Sequence, residues 1–288
     1  MSFLAIIVLQ VIGSVASLVL ICLGLAVIFG MMRVINFAHG EFLMLGGYAA
    51  ITANHAGISL WISMLVVAPL AVGAIGVVVE RLIVRHLYGR MIDTMLATWG
   101  LSLALIGLTT VVFGNSITGV SAPLGSMSIG VYSIGVYQLF LAVVVAVLLA
   151  VGWYVLRYTR AGLIARGSMQ DAGMAAALGI DQSRVYAVTC AIGTALSGLA
   201  GGLLAPLSGV LPTIGAVYIA KAFITVISGG AAILTGTVAA GTMLGTIDTL
   251  ATYAFSPVMG EIALLAAATV LLRVLPKGIT GRFFLGKL

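Results

Sequence analysis

Apolar positions in this chain come in long unbroken runs. Runs of about 20 residues recur from end to end, each long enough to cross a hydrocarbon core of about 30 Å as a helix. None alternates with period two, so helices rather than a closed barrel must satisfy the backbone groups in lipid. The pattern predicts spans at roughly 4–30, 41–56, 59–80, 92–113, 137–156, 185–205, 214–229, 233–254 and 258–275. The run at 41–56 is short, and 214–229 contains Lys221. The expected fold is therefore an all-α integral membrane protein, a polytopic helical bundle of about 8–10 transmembrane helices.

Polar positions interrupt the pattern most sharply in "RVINFAHGEFLMLGGY", Arg33 to Tyr48, which sets Arg33, Asn36, His39 and Glu41 between two apolar runs. Composition makes this odd. Charged residues are 7% of the 288, and 62% are hydrophobic, whereas a soluble domain has about 25% charged residues. Lipid must be the main solvent. The first apolar run has no positive charge before it, so it reads as a retained helix rather than a secretory signal. Cys22 and Cys190 both lie in apolar runs without metal-type spacing, as buried thiols do.

The net charge of +6 does not point to nucleic acid, because the cations sit in short connections. Residues 81–93 carry Arg81, Arg85 and Arg90; 157–184 carry Arg157, Arg160, Arg166 and Arg184; the tail carries Arg273, Lys277, Arg282 and Lys287. The connection 114–136 is uncharged. The positive-inside rule makes the three basic segments cytoplasmic, the C-terminus among them, and 114–136 external. Counting back puts Arg33 inside and the N-terminus outside.

No soluble domain is expected. The largest cytoplasmic piece, 157–184, is too short to bury a core, so 1–288 reads as one transmembrane domain. Nothing points to an enzyme. His39, His55 and His86 are far apart, so no catalytic or metal cluster is expected, and there is neither a phosphate loop nor a nucleophile elbow. Gly-rich stretches such as "SGLAGGLL" lie inside apolar runs, where small residues allow close helix packing.

Of seven acids, Glu80, Asp93, Asp171 and Asp181 are expected to pair with nearby arginines. Glu41, Asp248 and Glu261, with Lys221, lie near or within spans. A charge at a helix centre costs about 2.5–3.5 kcal/mol on insertion scales, so such groups are kept for a pathway, a partner or an interface anchor. Most lie near predicted span ends, which argues against proton coupling. Ser168 to Leu178 reads as one Ala-rich helix stopped by Gly179. It is either a knob for a cytoplasmic partner or a plain amphipathic surface helix.

Several stretches are similar to one family. "RVINFAHGEFLMLGGY", "RHLYGRMIDTMLATWGLSL", "RAGLIARGSMQDAGMAAALGIDQSRVYAVTCAIGTALSGLAGGLLAP", "FITVISGGAAILTGTVAAGTMLG" and "RVLPKGITGR" appear in order over nearly the whole chain. They resemble permease subunits of ABC importers for branched-chain amino acids and their relatives for urea and short-chain amides. Ala232 departs from a common glycine of the family's Gly-Gly-x-Gly pattern.

The resemblance implies an assembly in the bacterial inner membrane, in contact with lipid. Its other parts are a second, homologous permease subunit (a heterodimer), two cytoplasmic ATPases and an extracytoplasmic substrate-binding protein. This chain would bind no cofactor, ATP and Mg being used by the partners. The segment 168–180 would dock on an ATPase through Ser168, Gln170, Asp171, Ala175, Ala176, Leu178 and Gly179. Residues 34–41 would form a broken helix beside the translocation route, with Asn36, Phe37, His39, Gly40 and Glu41 as candidates. Glu41 would either favour the positive end of the next helix or touch substrate. Branched-chain amino acids are the expected cargo, with urea or short-chain amides as the alternative. A stand-alone ion-coupled carrier and a channel-like pore fit less well, since neither needs an ATPase-docking segment.

Overall fold

The computed structural model describes residues 2–129, 132–230 and 232–284. The tail cation Lys287 lies outside them. The elements in chain order are α1 (Ser2–Met32), α2 (His39–His55), α3 (Leu60–Ile62), α4 (Ala68–Leu82), α5 (Met91–Phe113), β1 (Ser126–Ile129), β2 (Tyr132–Gly135) and α6 (Val136–Tyr158). There follow α7 (Arg160–Gln170), α8 (Ala172–Ala177), α9 (Gln182–Ser208), α10 (Ile214–Gly229), α11 (Ile233–Ala254), α12 (Pro257–Val274) and α13 (Gly278–Phe284). A π-helical turn, Ser63–Val67, joins α3 to α4 as one helix, Leu60–Leu82.

Among the described residues, seven helices are long and apolar enough to cross a membrane. Two further helices, α2 with 17 residues and α10 with 16, are shorter. They rise only about 25 Å each at 1.5 Å per residue. The protein is thus a polytopic helical membrane protein, with its first long helix broken at 33–38.

Helix starts follow local chemistry. Asp181 accepts from the backbone N–H of Ser183 and Arg184 to cap α9, and Ser256 caps α12 ahead of Pro257. One expectation is corrected. Ser168–Leu178 is not one helix but the end of α7 and all of α8. Asp171 separates them in extended geometry (φ −151°, ψ 102°), with its carboxylate accepting from Met174 N–H at 2.9 Å. A short carboxylate competes for backbone donors and so favours a cap over a helix interior. The uncharged connection also carries a two-stranded antiparallel hairpin, pairing Ser126 with Gly135 and Ile129 with Tyr132. Polar Ser126 and Ser128 alternate there with Met127 and Ile129, a strand period too short to register among the long runs.

The chain divides into two compact units. One comprises 23–121 and 151–220. At its centre α9 packs against both α2 and α4. Glycines set the spacing. A Cβ on Gly201 would lie 1.7 Å from the Leu43 carbonyl oxygen, and one on Gly46 would lie 2.2 Å from that of Gly198. Backbone therefore touches backbone, the arrangement that replaces hydrophobic drive between membrane helices.

The other unit comprises 1–22, 122–150 and 221–288. Here α11 packs on α12 and α13. The turn between α10 and α11 is held from α13: Thr280 Oγ1 donates to Gly229 O at 2.6 Å and accepts from Ala232 N–H at 3.2 Å. Gly230 takes the left-handed backbone of that turn (φ +85°), whereas Ala232 has φ −92° and ψ 114°. A side chain at 232 is therefore unstrained, which explains why alanine can stand there.

Gly201→Ala should overpack α2 against α9, at a cost of about 1–3 kcal/mol. It should lower the melting temperature of the purified protein by at least about 3 °C. Gly100→Ala on α5, whose Cβ meets no atom within 4 Å, should change it by no more than about 1 °C. Differential scanning fluorimetry on both variants checks the contrast.

Candidate functional site

The site begins where α1 stops. Arg33 has positive φ (52°) and its N–H still reaches Phe29 O at 2.9 Å. A non-glycine residue in this region is uncommon and ends the helix sharply. The chain then runs non-helically to Ala38. Three backbone donors at the end of this stretch have partners. Phe37 N–H donates to Thr98 Oγ1 at 3.1 Å, Ala38 N–H to Asn36 Oδ1 at 3.0 Å, and His39 N–H to Asn36 O at 3.3 Å. Asn36 is buried and Phe37 half-buried.

His39 is fully buried, with Nδ1 3.3 Å from Ser197 Oγ. The Ser197 hydroxyl donates to Gly193 O at 2.9 Å. Its single proton being spent there, the imidazole must donate through Nδ1–H. Gly40 admits α10 at close range, since a Cβ on it would lie 2.0 Å from Gly215 O. Glu41 is 1% exposed. Its Oε1 accepts from Ser102 Oγ at 2.7 Å, while Oε2 is buried without a hydrogen-bond partner among the described residues. Oε2 stands 2.7 Å from where a Cβ on Gly215 would be.

These contacts fix the depth of the cluster. Ser102 is halfway along α5, and Ser197 is near the middle of α9. The first turns of α2 and α10 therefore meet in the interior of the bundle. The start of α2 is thus not at a membrane face: α2 begins at mid-span, because the chain re-enters after α1. A carboxylate there faces the positive ends of two helices at once.

The second candidate set forms its own surface at the other end of α9, whose first residue lies about 22 Å along the axis from Ser197. Ser168 and Ala175 are buried, with Gln182 Nε2 donating to Ser168 Oγ at 3.3 Å. Gln170, Asp171, Ala176, Leu178 and Gly179 are exposed. Leu178 and Met174 stand out at 77% and 62% exposure. Buried residues thus hold the segment and leave an apolar knob outside.

Among the acids, Asp93 pairs with Arg90 at 2.6 Å and Asp181 with Arg184 at 3.0 Å. Asp171 caps α8 instead. Glu80 departs from expectation: it is buried and accepts from the Tyr88 hydroxyl, with Tyr88 edge-on to Tyr186 at 5.0 Å between ring centres. Burial, then the Glu80 carboxylate, holds the Tyr88 phenol well above its usual range. Lys221 pairs with Glu261 at 2.6 Å. Sequence reading missed Thr98, Ser102, Ser197 and Gly215. They look like ordinary small residues of apolar helices, and only contacts from distant segments single them out.

A break at mid-depth in a bundle of long apolar helices, with polar side chains gathered on it, is an arrangement that membrane transport proteins use. The family model for the branched-chain amino acid transport system permease component matches residues 7–275, so the chain belongs to that family of ABC importer permeases. It is a transport subunit, not an enzyme. It is 30% identical over 285 residues to the Salmonella typhimurium protein "High-affinity branched-chain amino acid transport system permease protein LivH", covering 91% of each chain. It is 31% identical over 284 residues to "Probable branched-chain amino acid transport permease protein LivH" of Methanocaldococcus jannaschii, covering 92% of this chain and 88% of the other. It is 27% identical over 286 residues to the Pseudomonas aeruginosa permease BraD, covering 91% of each. No solved structure matches the chain.

Glu41→Gln keeps an acceptor for Ser102 and removes a charge–dipole attraction of about 0.3–2 kcal/mol. Uptake by the assembled transporter should fall modestly, with an unchanged profile between about pH 5.5 and 8, if the charge acts only on the helix dipole. Abolished uptake at every pH in complexes of equal content would contradict this. Gly215→Ala forces a methyl against Glu41 Oε2 and the Gly40 backbone, and should lower the yield of folded complex.

Proposed function

We propose that this chain is the pathway-forming permease of an importer for branched-chain amino acids. The observation that carries the reading is similarity over nine-tenths of the chain to proteins named as branched-chain amino acid permeases. The site supports it in kind, since a re-entrant break at mid-span is where a transported molecule can meet hydrogen-bonding groups within lipid. Asn36, Phe37, His39, Gly40 and Glu41 line or support the route. The chain works beside a homologous second permease, as a heterodimer, with an extracytoplasmic binding protein delivering cargo. Two ATPase subunits use ATP and Mg, and this chain binds no cofactor. The location is the bacterial inner membrane, with the C-terminus cytoplasmic.

The exposed apolar knob of α8 favours ATPase docking over a plain surface helix, since Leu178 and Met174 point away from the bundle. Reconstitution with the ATPases and binding protein tests the whole. Leucine, isoleucine or valine should stimulate ATP hydrolysis. Stimulation by urea or acetamide instead would replace the substrate assignment.

Ala176→Glu places a charge on the exposed side of α8 while leaving buried Ala175 intact. Membrane insertion should be normal and ligand-stimulated uptake lost; normal uptake would remove the docking assignment. For orientation, a cysteine at Ser121 should react with an impermeant maleimide from outside, and one at exposed Ala177 should not. Ser168 is unsuited to that test, being buried.

A further inference from the structure

Within the unit that contains residues 1–22, 122–150 and 221–288 lies a cavity of 240 Å³. It is lined by α1 (Gln10, Gly13, Ser14, Ser17), by Gln138 on the first turn of α6, and by α11 (Asp248, Thr249, Thr252, Tyr253). One water's share of liquid is about 30 Å³, so the space suits a small organic molecule rather than a single solvent molecule. A polar cavity walled by membrane-spanning helices is costly and is kept for a ligand or a pathway.

Its lining is rich in acceptors. Asp248 supplies a carboxylate. Gln138 Oε1 is buried without a hydrogen-bond partner among the described residues. Thr249 spends its proton on Gly245 O at 2.9 Å and so offers lone pairs. No Lys, Arg or His is in the lining. Outside the lining, Lys221 and Glu261 act on Asp248 with opposite signs, Lys221 the more strongly, and the two pair with each other at 2.6 Å. The lining thus has one negative charge and many acceptors. A divalent metal needs several oxygen ligands at about 2.0–2.6 Å, usually with more than one carboxylate. Among the described residues no group of three His, Cys, Asp or Glu could hold one.

We propose that this cavity is a binding site for the ammonium end of a small organic amine, with Asp248 as counter-charge and Gln138 and the threonine hydroxyls as further acceptors. That the amine is a transported amino acid rests on the function proposed above; the site's preference for an ammonium group does not.

The test uses the complete permease–ATPase complex in lipid nanodiscs without binding protein, probed with methylammonium and, separately, acetamide by saturation-transfer NMR. The parent should bind methylammonium. Asp248→Asn should weaken that binding about tenfold or more, while Asp248→Glu retains most of it. Gln138→Leu should weaken it severalfold, and carries the test if Asp248→Asn does not assemble. Acetamide should bind no better to the parent than to Asp248→Asn. Absent methylammonium binding in the parent, or affinity unchanged in Asp248→Asn or Gln138→Leu, would overturn the site. A parent that binds methylammonium through Asp248 but imports no branched-chain amino acid would overturn the transport reading and leave the site standing.

Discussion

Lipid offers no hydrogen bonds, and the rest of this structure depends on that constraint. A chain may reverse inside the bundle only if every backbone donor it frees finds a partner within the protein. In the segment after Arg33, Asn36 Oδ1 accepts from Ala38 N–H, and Thr98 Oγ1 on a neighbouring helix accepts from Phe37 N–H. Once the reversal is satisfied, α2 can start at mid-span. Only then can Glu41 reach Ser102 and the first turn of α10.

Close packing is the second half of the same solution. The first turn of α2 approaches α10 at Gly40 and Gly215, and its body lies backbone to backbone on α9 at Gly46, Gly198 and Gly201. These glycines do for the helices what Asn36 and Thr98 do for the break, because they let polar backbone approach polar backbone and exclude lipid from the site. His39 then finds Ser197 on the helix that those glycines bring near. The polar cluster and the small-residue seam thus lie on the same pair of helices, α2 and α9.

At the far end of α9 the physics changes. Capping residues appear around α7 and α8: Thr159, Asp171 and Asp181 each accept from backbone N–H groups. Asp171 breaks a run that helix propensity alone would continue, and the break turns Met174 and Leu178 outward. An exposed apolar knob on a short, capped helix suits a rigid docking contact better than a flexible loop would.

Much of the fold was legible in the chain because the membrane simplifies the code. A span needs a run of apolar residues and little else, so the predicted runs coincide closely with the observed helices, and charge placement separates connections from spans. The oddity of Arg33 to Tyr48 was equally visible, since polar residues in an apolar run cannot be neutral in lipid. The depth of Glu41, by contrast, was not. Its position near a helix start says nothing of where that helix starts, which is set by Ser102 and Gly215, 61 and 174 residues away. The cavity around Asp248 was hidden for the same reason, its walls coming from three segments far apart in the chain. Hydrophobic periodicity is a local quantity and so is written in order along the sequence. The pairing of single polar side chains across the bundle is not local, and only the packed helices decide it.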